Sequence, residues 1–561
     1  MKELLRRLSL RPRIVWELML ASFFANLMSM ASPVYVIMVL NRYVGYGFDG
    51  TLYTLTAGVL IASALGFGFT EVRTRLAGAI SLNPDRELTE RVLAALSRAR
   101  LTALQRIPAP RQHEALGHLQ TVQSAYDAAS ISNVSDAPYL LLYILAIFLL
   151  SPILALVTLL AIAFTALFTL ANMRQGEDDA AKVRDESIAQ RGLLSSVLSG
   201  AETVRAFLGL NFLQKAWAAR LKAQSDVSRV AEANRTRGKK KVETVAVLLR
   251  VSVYAVGAML AVTGDMNVGA LIGVSILSGK ALMISTSFLS SYLAMRKADE
   301  AGRQLGELLA LPLEPLSGTA MRQYSGRLEF VSVGFAYAGT TTPVFENLSM
   351  TIDPGSIVAV TGNNGSGKTT FCKVAAGLLD PGRGQVLADG VDQRQLAPDW
   401  WRRQLVYLPQ EPTFLNATIR ENILLSTIDP EAEGVNDRLN EAIRAASLRQ
   451  FLDVSRTGLD TDLVDGGRTL PVGIRKRVAI ARALMHQGQL VIFDDPTEGL
   501  DAEGIQAVYA ILNTLAKQGS TIIVSTGDVN ILKAATVVVD MNAKPTPVLG
   551  TVRRAKPEEE A

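Results

Sequence analysis

Long apolar runs alternate with long charged stretches in the first half of this chain. Ile14–Leu40 contains one charged residue, Glu17, and Ala137–Asn172 contains none over 36 residues. The second of these runs is interrupted at Ser151-Pro152, which predicts two helices joined by a very short turn. Because about 20 apolar residues cross a hydrocarbon core of roughly 30 Å, the runs predict membrane spans. Six are predicted, at residues 14–40, 52–69, 137–150, 152–172, 242–263 and 268–293.

Basic residues are concentrated in alternate connections between these spans. Residues 1–13 contain five Lys or Arg, residues 71–136 contain eight and residues 173–241 contain fourteen. The three connections on the other side contain a single basic residue, Arg42. Basic loops remain on the cytoplasmic side of a membrane, so both termini are predicted to be cytoplasmic.

The two long basic connections have the apolar spacing of helices, as in Leu88, Val92 and Leu96. One interpretation is that the spans continue into the cytosol as helices that turn near Pro108–Glu114 and Leu208–Lys215. The alternative is a pair of amphipathic helices on the membrane surface.

Two ionisable residues, Arg250 and Lys280, lie near the middle of predicted spans. A charge there costs on the order of 3 kcal/mol, so it usually faces a cavity or a partner. They are candidates for an aqueous substrate path, and a structural ion pair or a helix–helix hydrogen bond is an equally good explanation.

The pattern changes after residue 310. Residues 311–326 contain four Pro or Gly with little periodicity and are predicted to be a linker. Beyond it, short β-branched segments alternate with helical ones, which predicts an α/β domain with a largely parallel sheet. The predicted strands are Arg327–Tyr337, Ser356–Val360, Gln404–Leu408, Leu490–Asp494 and Thr521–Ser525. The predicted organisation is a membrane domain at 1–310, a linker at 311–326, an α/β domain at 327–552 and a tail at 553–561.

Composition agrees with two such domains. Mean hydropathy is +0.24 over 561 residues, which is unusual for a soluble enzyme of this size. Residues 1–326 have 34 Lys or Arg against 24 Asp or Glu, and residues 327–561 have 23 against 28. The positive charge therefore belongs to the apolar half, which argues for a lipid bilayer and against nucleic acid as a partner. The single cysteine excludes an intrachain disulfide framework.

A phosphate-binding loop follows the predicted strand at 356–360. The sequence matches G-x-x-x-x-G-K-[ST] between a strand and a helix, which is the context that this motif requires. Backbone N–H groups of such a loop surround a β-phosphate at a helix N-terminus, Lys368 bridges the β- and γ-phosphates, and the Thr369 hydroxyl ligates Mg²⁺. The candidate ATP-binding residues are Gly362, Asn363, Asn364, Gly365, Ser366, Gly367, Lys368, Thr369 and Thr370.

A second apolar strand, Leu490–Asp494, ends in a carboxylate. Asp494 is placed to hold the Mg²⁺ shell, and Asp495 follows where a general base for the attacking water would lie.

With these residues the chain resembles the ATP-binding-cassette (ABC) exporters over nearly its whole length. By this resemblance Tyr337 stacks on adenine, Gln410 senses Mg²⁺ and Asp501 belongs to the loop between the two ATPase domains of a dimer. Gly473–Met485 resembles the helix behind the family signature. The resemblance implies six spans with long cytoplasmic helical extensions, a P-loop ATPase domain, and ATP with Mg²⁺ held by Thr369, Gln410 and Asp494.

Within that family the membrane half resembles the type I protein-secretion exporters. The resembling stretches are Ser32–Arg42, Asp136–Tyr139 and Ile276–Leu282. This resemblance implies the bacterial inner membrane, a periplasmic membrane-fusion protein and an outer-membrane channel.

Three positions depart from the family pattern. The signature L-S-G-G-Q, which contacts the partner's γ-phosphate, is replaced by Leu470, Pro471, Val472, Gly473 and Ile474. Asp495 stands where the family has a catalytic Glu, and Gly527 where it has a switch His. A one-residue misalignment is a weak alternative for Gly527, because no histidine follows His486.

These departures predict an exporter subunit with impaired hydrolysis that pairs with a competent second ABC half rather than with a copy of itself. Two alternatives are an ATP-binding subunit that is essentially non-hydrolysing, with a structural or regulatory role, and an exporter of a lipid, peptide or small molecule.

Overall fold

The computed structural model describes residues 2–551 apart from 48, 105, 108, 172, 338, 341 and 428. The predicted tail at 553–561 and the final residue of the predicted span 152–172 lie outside the described residues. The chain divides into two compact units. The first is formed by residues 1–97 and 107–310, and the second by residues 98–106 and 311 onwards.

The first unit is helical. Its helices, together with the short α6 that belongs to the second unit, are α1 Lys2–Ser9, α2 Pro12–Ser29, α3 Ala31–Met38, α4 Val44–Tyr46, α5 Asp49–Arg98, α6 Leu101–Leu104, α7 Ala109–Ala125, α8 Ala128–Asp136, α9 Leu140–Leu150, α10 Pro152–Ala171, α11 Met173–Ser199, α12 Ala201–Ala206, α13 Leu210–Val262 and α14 Val268–Leu309.

Among the described residues, six helical segments are long and apolar enough to cross a membrane, which confirms the predicted number. They are Pro12–Tyr46, Asp49–Arg98, Glu114–Leu150, Pro152–Ala171, Leu210–Val262 and Val268–Leu309. The turn at Ser151-Pro152 is present, since α9 ends at Leu150 and α10 begins at Pro152.

Close helix packing in this unit depends on small residues of α14. A Cβ added to Gly273 would lie 2.4 Å from Ile37 Cδ1, and one added to Gly269 would lie 2.8 Å from the Ile37 carbonyl oxygen. Both distances are shorter than any normal contact, so glycine is what lets α14 pack directly on the backbone near Ile37.

The long basic connections are helical, and their breaks begin earlier than the predicted turns. Residues 109–114 are the start of α7, and residues 210–215 are the start of α13. The first break comes earlier because Arg98–Arg106 packs with the C-terminal unit, where the Arg98 carbonyl accepts from Glu314 N (2.8 Å) and Arg100 pairs with Asp380 (3.1 Å). The second break begins after Ser199, includes α12 and ends at the turn before α13, where Leu208 of the predicted turn has a φ of +53°.

The second unit contains two main sheets. Its strands are β1 Leu328–Phe335, β2 Phe345–Ile352, β3 Ile357–Thr361, β4 Arg383–Ala388, β5 Val391–Asp392, β6 Leu405–Leu408, β7 Ala417–Thr418, β8 Asp462–Leu463, β9 Leu490–Asp494, β10 Thr521–Ser525, β11 Val537–Asp540 and β12 Val548–Thr551. Its helices after α6 are α15 Lys368–Ala375, α16 Pro398–Arg403, α17 Ile419–Ile423, α18 Val435–Ala445, α19 Arg449–Val454, α20 Val472–Leu484, α21 Ala502–Lys517 and α22 Val529–Ala534.

The larger sheet has the order β12-β11-β3-β10-β9-β6, and every pair in it except β11·β12 is parallel. A smaller antiparallel sheet has the order β2-β1-β4-β5 and was not predicted as a separate layer. In the parallel sheet Ser525 is in register with Asp494 on one side and with Val360 on the other. The carboxyl ends of β3, β9 and β10 therefore meet at one edge, where ligands bind in open α/β sheets.

The linker is packed against this unit. Thr319 N donates to the Gln395 carbonyl (2.8 Å), and Tyr324 is buried edge-to-face against Trp401.

Candidate functional site

A glycine-rich loop joins β3 to α15 at this edge. Gly362, Gly365 and Gly367 have φ angles of +147°, +80° and +107°, a region that favours glycine. A Cβ on Gly367 would lie 2.4 Å from Val344 Cγ1. The loop can therefore fold back tightly and present the N-terminus of α15 as an anion-binding surface.

Lys368 lies across this loop. Its Nζ donates to the carbonyl oxygens of Gly362 (2.8 Å) and Asn363 (3.4 Å). The ammonium group is thus held over the concavity in which phosphate groups of a nucleotide would lie.

Oxygen ligands suited to Mg²⁺ meet beside the loop. The Thr369 hydroxyl donates to Gln410 Oε1 (3.1 Å), and Gln410 Nε2 donates to Glu498 Oε2 (3.1 Å). Asp494 is fully buried, and its Oδ1 accepts from the Ser525 hydroxyl. Its Oδ2 is buried without a hydrogen-bond partner among the described residues. A hydroxyl, an amide oxygen and an unpaired buried carboxylate oxygen fit a magnesium ion that takes its remaining ligands from phosphate and water.

In the described part of the chain, no group of three or more His, Cys, Asp or Glu side chains could hold a metal ion without a nucleotide.

Tyr337 is tied to the same loop. Its hydroxyl lies 3.0 Å from Thr370 Oγ1, and its ring is edge-to-face against Phe335 with centroids 5.0 Å apart. The side chain is 37% exposed, so part of the ring remains open for stacking.

Asp495 follows β9 with a positive φ of +44°, which is uncommon for a residue other than glycine. Its backbone N donates to Ser525 O and Oγ (both 3.1 Å), which holds this turn. Burial raises the pKa of the Asp495 carboxyl, Asp494 and Glu498 add to the effect, and Lys368 and Lys476 oppose it.

The segment Leu470–Ile474 has no side-chain hydrogen-bond donor. Pro471 is the N-cap of α20 and makes no side-chain cap hydrogen bond. Val472 is 59% exposed, and Ile474 packs against the apolar core of the domain. The exposed start of α20 therefore presents an aliphatic side chain and a proline.

Gly527 lies in open space, since a Cβ added there would meet no atom within 4 Å. The position can therefore hold a Cβ without moving its neighbours.

Asp501 already has partners inside the chain, because its Oδ1 caps α21 through Gly504 N (2.8 Å) and accepts from Arg477 Nη2 (2.7 Å). These two bonds lower the pKa of the Asp501 carboxyl.

Two lysines near the loop were missed from the sequence. Lys476 of α20 is only 2% exposed, and its Nζ donates to the carbonyl oxygens of Gln410 and Asp495 (both 2.9 Å). Burial lowers the pKa of Lys476, and Asp494, Glu498 and Asp495 oppose that shift.

The second of these lysines is Lys544, whose Nζ donates to Ser366 O (2.6 Å) and to Val344 O. Only the sheet order, which places β11 beside β3, brings Lys544 near the loop.

Arg250 and Lys280 lie in the other unit, on α13 and α14. Arg250 is exposed and Lys280 is partly buried. Neither forms an ion pair or hydrogen bond with another described residue, so the structural ion pair that was one interpretation of them is not seen in this part of the chain.

Two family models match the chain in separate regions. The ABC transporter model matches residues 345–498, and the ABC transporter transmembrane region model matches residues 15–285. The chain thus joins a region that matches an ABC transporter transmembrane region to a region that matches an ABC transporter.

Curated relatives of this exporter match it over most of its length. The toxin RTX-I translocation ATP-binding protein of Actinobacillus pleuropneumoniae is 24% identical over 533 residues, which cover 94% of this chain and 74% of that protein. The alpha-hemolysin translocation ATP-binding protein of Escherichia coli O157:H7 is 24% identical over 517 residues, which cover 91% and 72%.

The fold is also that of a solved exporter. A bacterial Atm1-family ABC exporter with ATP bound superposes with a TM-score of 0.81 over 95% of this chain and 94% of that one, at 21% identity. At this identity the likeness establishes the fold alone: a helical membrane domain followed by an ABC ATPase domain with two main sheets.

Proposed function

We propose that this ABC exporter subunit of the bacterial inner membrane binds MgATP normally but hydrolyses it poorly. The observation that carries the proposal is the composition of one sheet edge. Lys368, Thr369 and Asp494 lie there in positions suited to nucleotide and Mg²⁺, while Asp495 and Gly527 lie at the same edge without the groups needed for fast hydrolysis.

Nucleotide binding in this proposal uses the loop 362–370 for the phosphates and the exposed part of the Tyr337 ring for adenine. The Thr369 hydroxyl, Gln410 Oε1 and Asp494 Oδ2 would surround the Mg²⁺ that accompanies ATP. Helix α15 adds its positive N-terminal end to this attraction.

Slow hydrolysis follows from three local features. The Asp495 carboxyl is one methylene shorter than glutamate, and a displacement of about 1 Å can cost on the order of a hundredfold in rate. Gly527 has no side chain to contact a γ-phosphate. Pro471 has no N–H, and neither Pro471 nor Val472 has a side-chain donor for a nucleotide held by a second ATPase domain; one missing preorganised donor can cost roughly 10²–10³ in rate.

The same features support pairing with a competent second ABC half. A homodimer would repeat all three defects at both nucleotide sites. A heterodimer would combine this chain's loop 362–370 with an intact signature from the partner, and the partner's catalytic residues with Leu470–Ile474 of this chain. Both termini would lie in the cytoplasm, as the fourteen basic residues of 173–241 and the five of 1–13 suggest.

A protein cargo is the substrate class that the relatives favour, since their printed names concern toxin and hemolysin translocation. A periplasmic membrane-fusion protein and an outer-membrane channel would then complete the export route. Arg250 and Lys280 are the candidate residues of the substrate path. Export of a lipid, peptide or small molecule remains an alternative for the cargo.

A second candidate function is an ATP-binding subunit that holds its partner in one conformation and essentially does not turn over. The observation that favours it is Gly527, because position 527 in the loop after β10 has no side chain that could contact a nucleotide.

Substitution of Lys368 tests the nucleotide site directly. We expect Lys368→Ala to weaken ATP binding at least tenfold, measured with a fluorescent ATP analogue on the purified chain, because the charged contact across the loop is lost. Lys373→Ala, in the same helix α15 and with the same loss of charge, should leave the affinity within about twofold. Equal affinities for Lys368→Ala and the wild type would refute the assignment of the loop.

A further inference from the structure

A dense cluster of basic residues lies at one end of the fifth membrane-spanning helix. Five of the seven residues from 235 to 241 are basic, and together they form what we call the α13 basic collar: Arg235, Arg237, Lys239, Lys240 and Lys241. All five are exposed.

The collar is placed where a bilayer begins. After Lys241 the helix continues from Val242 to Val262, and this length of α-helix is about 30 Å, the thickness of a hydrocarbon core. Lys241 Nζ also lies 4.3 Å from the centre of the Phe168 ring, near the end of the apolar helix α10. An ammonium group over an aromatic ring at the end of two apolar helices marks the level of the headgroups.

The five side chains surround the helix instead of sharing one face. At about 100° per residue, Arg235 and Lys239 point to one side and Arg237 and Lys241 to the opposite side, with Lys240 between them. A cluster built to receive one acidic helix would be one-sided, whereas a collar matches a layer of negative charge around the helix.

The collar is not neutralised within the described part of the chain. No ion pair joins any of the five to a residue whose side chain is described there, although Arg220 of the same helix pairs with Glu186 at 3.6 Å. Glu243, four residues after Lys239, is exposed and is not paired with it either. Five unpaired, exposed cations at a membrane boundary are free to attract the anionic surface of the bilayer.

We infer that the α13 basic collar binds the phosphate headgroups of anionic phospholipids in the bilayer. The chemistry is that of several ammonium and guanidinium groups on phosphate oxygens, with Lys241 held beside Phe168. Each basic side chain near an anionic surface contributes about a fivefold gain in affinity.

The test uses the full-length chain purified in detergent and placed in nanodiscs of phosphatidylcholine with a fixed fraction of phosphatidylglycerol. The variant Lys239→Gln/Lys240→Gln/Lys241→Gln removes three charges next to the span. Its matched control is Lys215→Gln/Lys222→Gln/Arg229→Gln, which removes three exposed charges from the same helix further from the span. Phosphatidylglycerol retained around the protein is measured by mass spectrometry.

The collar variant should bind phosphatidylglycerol roughly a hundredfold more weakly, while the control variant stays near the wild type. The charge-preserving Lys239→Arg/Lys240→Arg/Lys241→Arg should retain the lipid, which separates loss of charge from damage to the helix. Added inorganic phosphate should not displace the lipid, because the collar meets a surface and not a single ion. Equal retention by the collar and control variants, or displacement by millimolar phosphate, would overturn the proposal.

Discussion

Asp495 has the environment of a carboxylate that is held back from full ionisation. It follows a buried strand, its backbone is in the left-handed region, and its carbonyl accepts from the buried ammonium of Lys476. Burial raises its pKa, so the protonated form is favoured in the folded chain relative to the unfolded one. The stability that Asp495 provides is therefore present at low pH and is lost as pH rises through its folded pKa.

This shift predicts a pH-dependent effect of Asp495→Asn. The amide cannot ionise, so the variant should melt at a higher temperature than the wild type at neutral pH, and the difference should shrink as pH falls toward about 4. Asp353→Asn, at an exposed position outside the site, is the control and should show no such trend. Melting of the nucleotide-free chain between pH 4.5 and 8 measures it, and a difference that grows at low pH would contradict this account of the site.

Lys476 was not singled out from the sequence because a lysine in a charged helix has no distinguishing pattern. Its Nζ, on α20, lies 2.9 Å from the carbonyl oxygens of Gln410 and Asp495. These two residues come from distant segments, and only the fold brings them to the same ammonium group. Lys544 was missed for the same reason, since β11 becomes a neighbour of β3 only in the assembled sheet.

At the scale of elements, the segments with a strong local pattern were predictable. The strands Leu490–Asp494 and Thr521–Ser525 have the bounds expected from their apolar runs, and the turn at Ser151-Pro152 falls where proline requires it. The antiparallel sheet containing β2, β4 and β5 was missed because its partly exposed strands lack a continuous apolar run. The break before α7 was displaced because the packing of residues 98–106 sets it, whereas the break before α13 includes Leu208 of the predicted turn.

Helix α20 offers an element-scale test of the altered signature. Pro471 is its N-cap and makes no cap hydrogen bond, and its φ and ψ of −53° and +147° are compatible with serine. We expect Pro471→Ser to be more stable than Pro471→Ala by about 1 kcal/mol, because only the serine hydroxyl can accept from the first free N–H groups. Chemical denaturation of the two variants measures the difference, and equal stability would show that this helix start cannot accept a cap.

For the molecule as a whole, six candidate spans among the described residues are combined with a region that matches an ABC transporter ATPase domain. The loop 362–370 has the glycines, lysine and threonine that binding needs. In the proposed function, the positions that act on the γ-phosphate are Asp495, Gly527 and Leu470–Ile474, and these lack the side chains that fast hydrolysis needs. This separation predicts a subunit in which ATP controls conformation more than it supplies repeated turnover.

Introducing the family residues together tests whether the three departures are what slows ATP hydrolysis. Asp495→Glu alone should not restore turnover, because Gly527 and Pro471 remain unchanged at both sites of a homodimer. A variant with five substitutions, Pro471→Ser/Val472→Gly/Ile474→Gln/Asp495→Glu/Gly527→His, should hydrolyse ATP at least about a hundredfold faster than the wild type. The Cβ of Gly527→His meets no obstacle, since no atom lies within 4 Å of it.

Steady-state ATP hydrolysis by the purified wild-type chain alone, in liposomes and at an ATP concentration where binding is shown to be saturated, measures whether this subunit binds ATP without turning it over. We predict saturable ATP binding with turnover far below one per second. Turnover of about 1–10 per second, the usual range for an enzyme, would contradict the account, because Asp495 and Leu470–Ile474 would then be a working catalytic set.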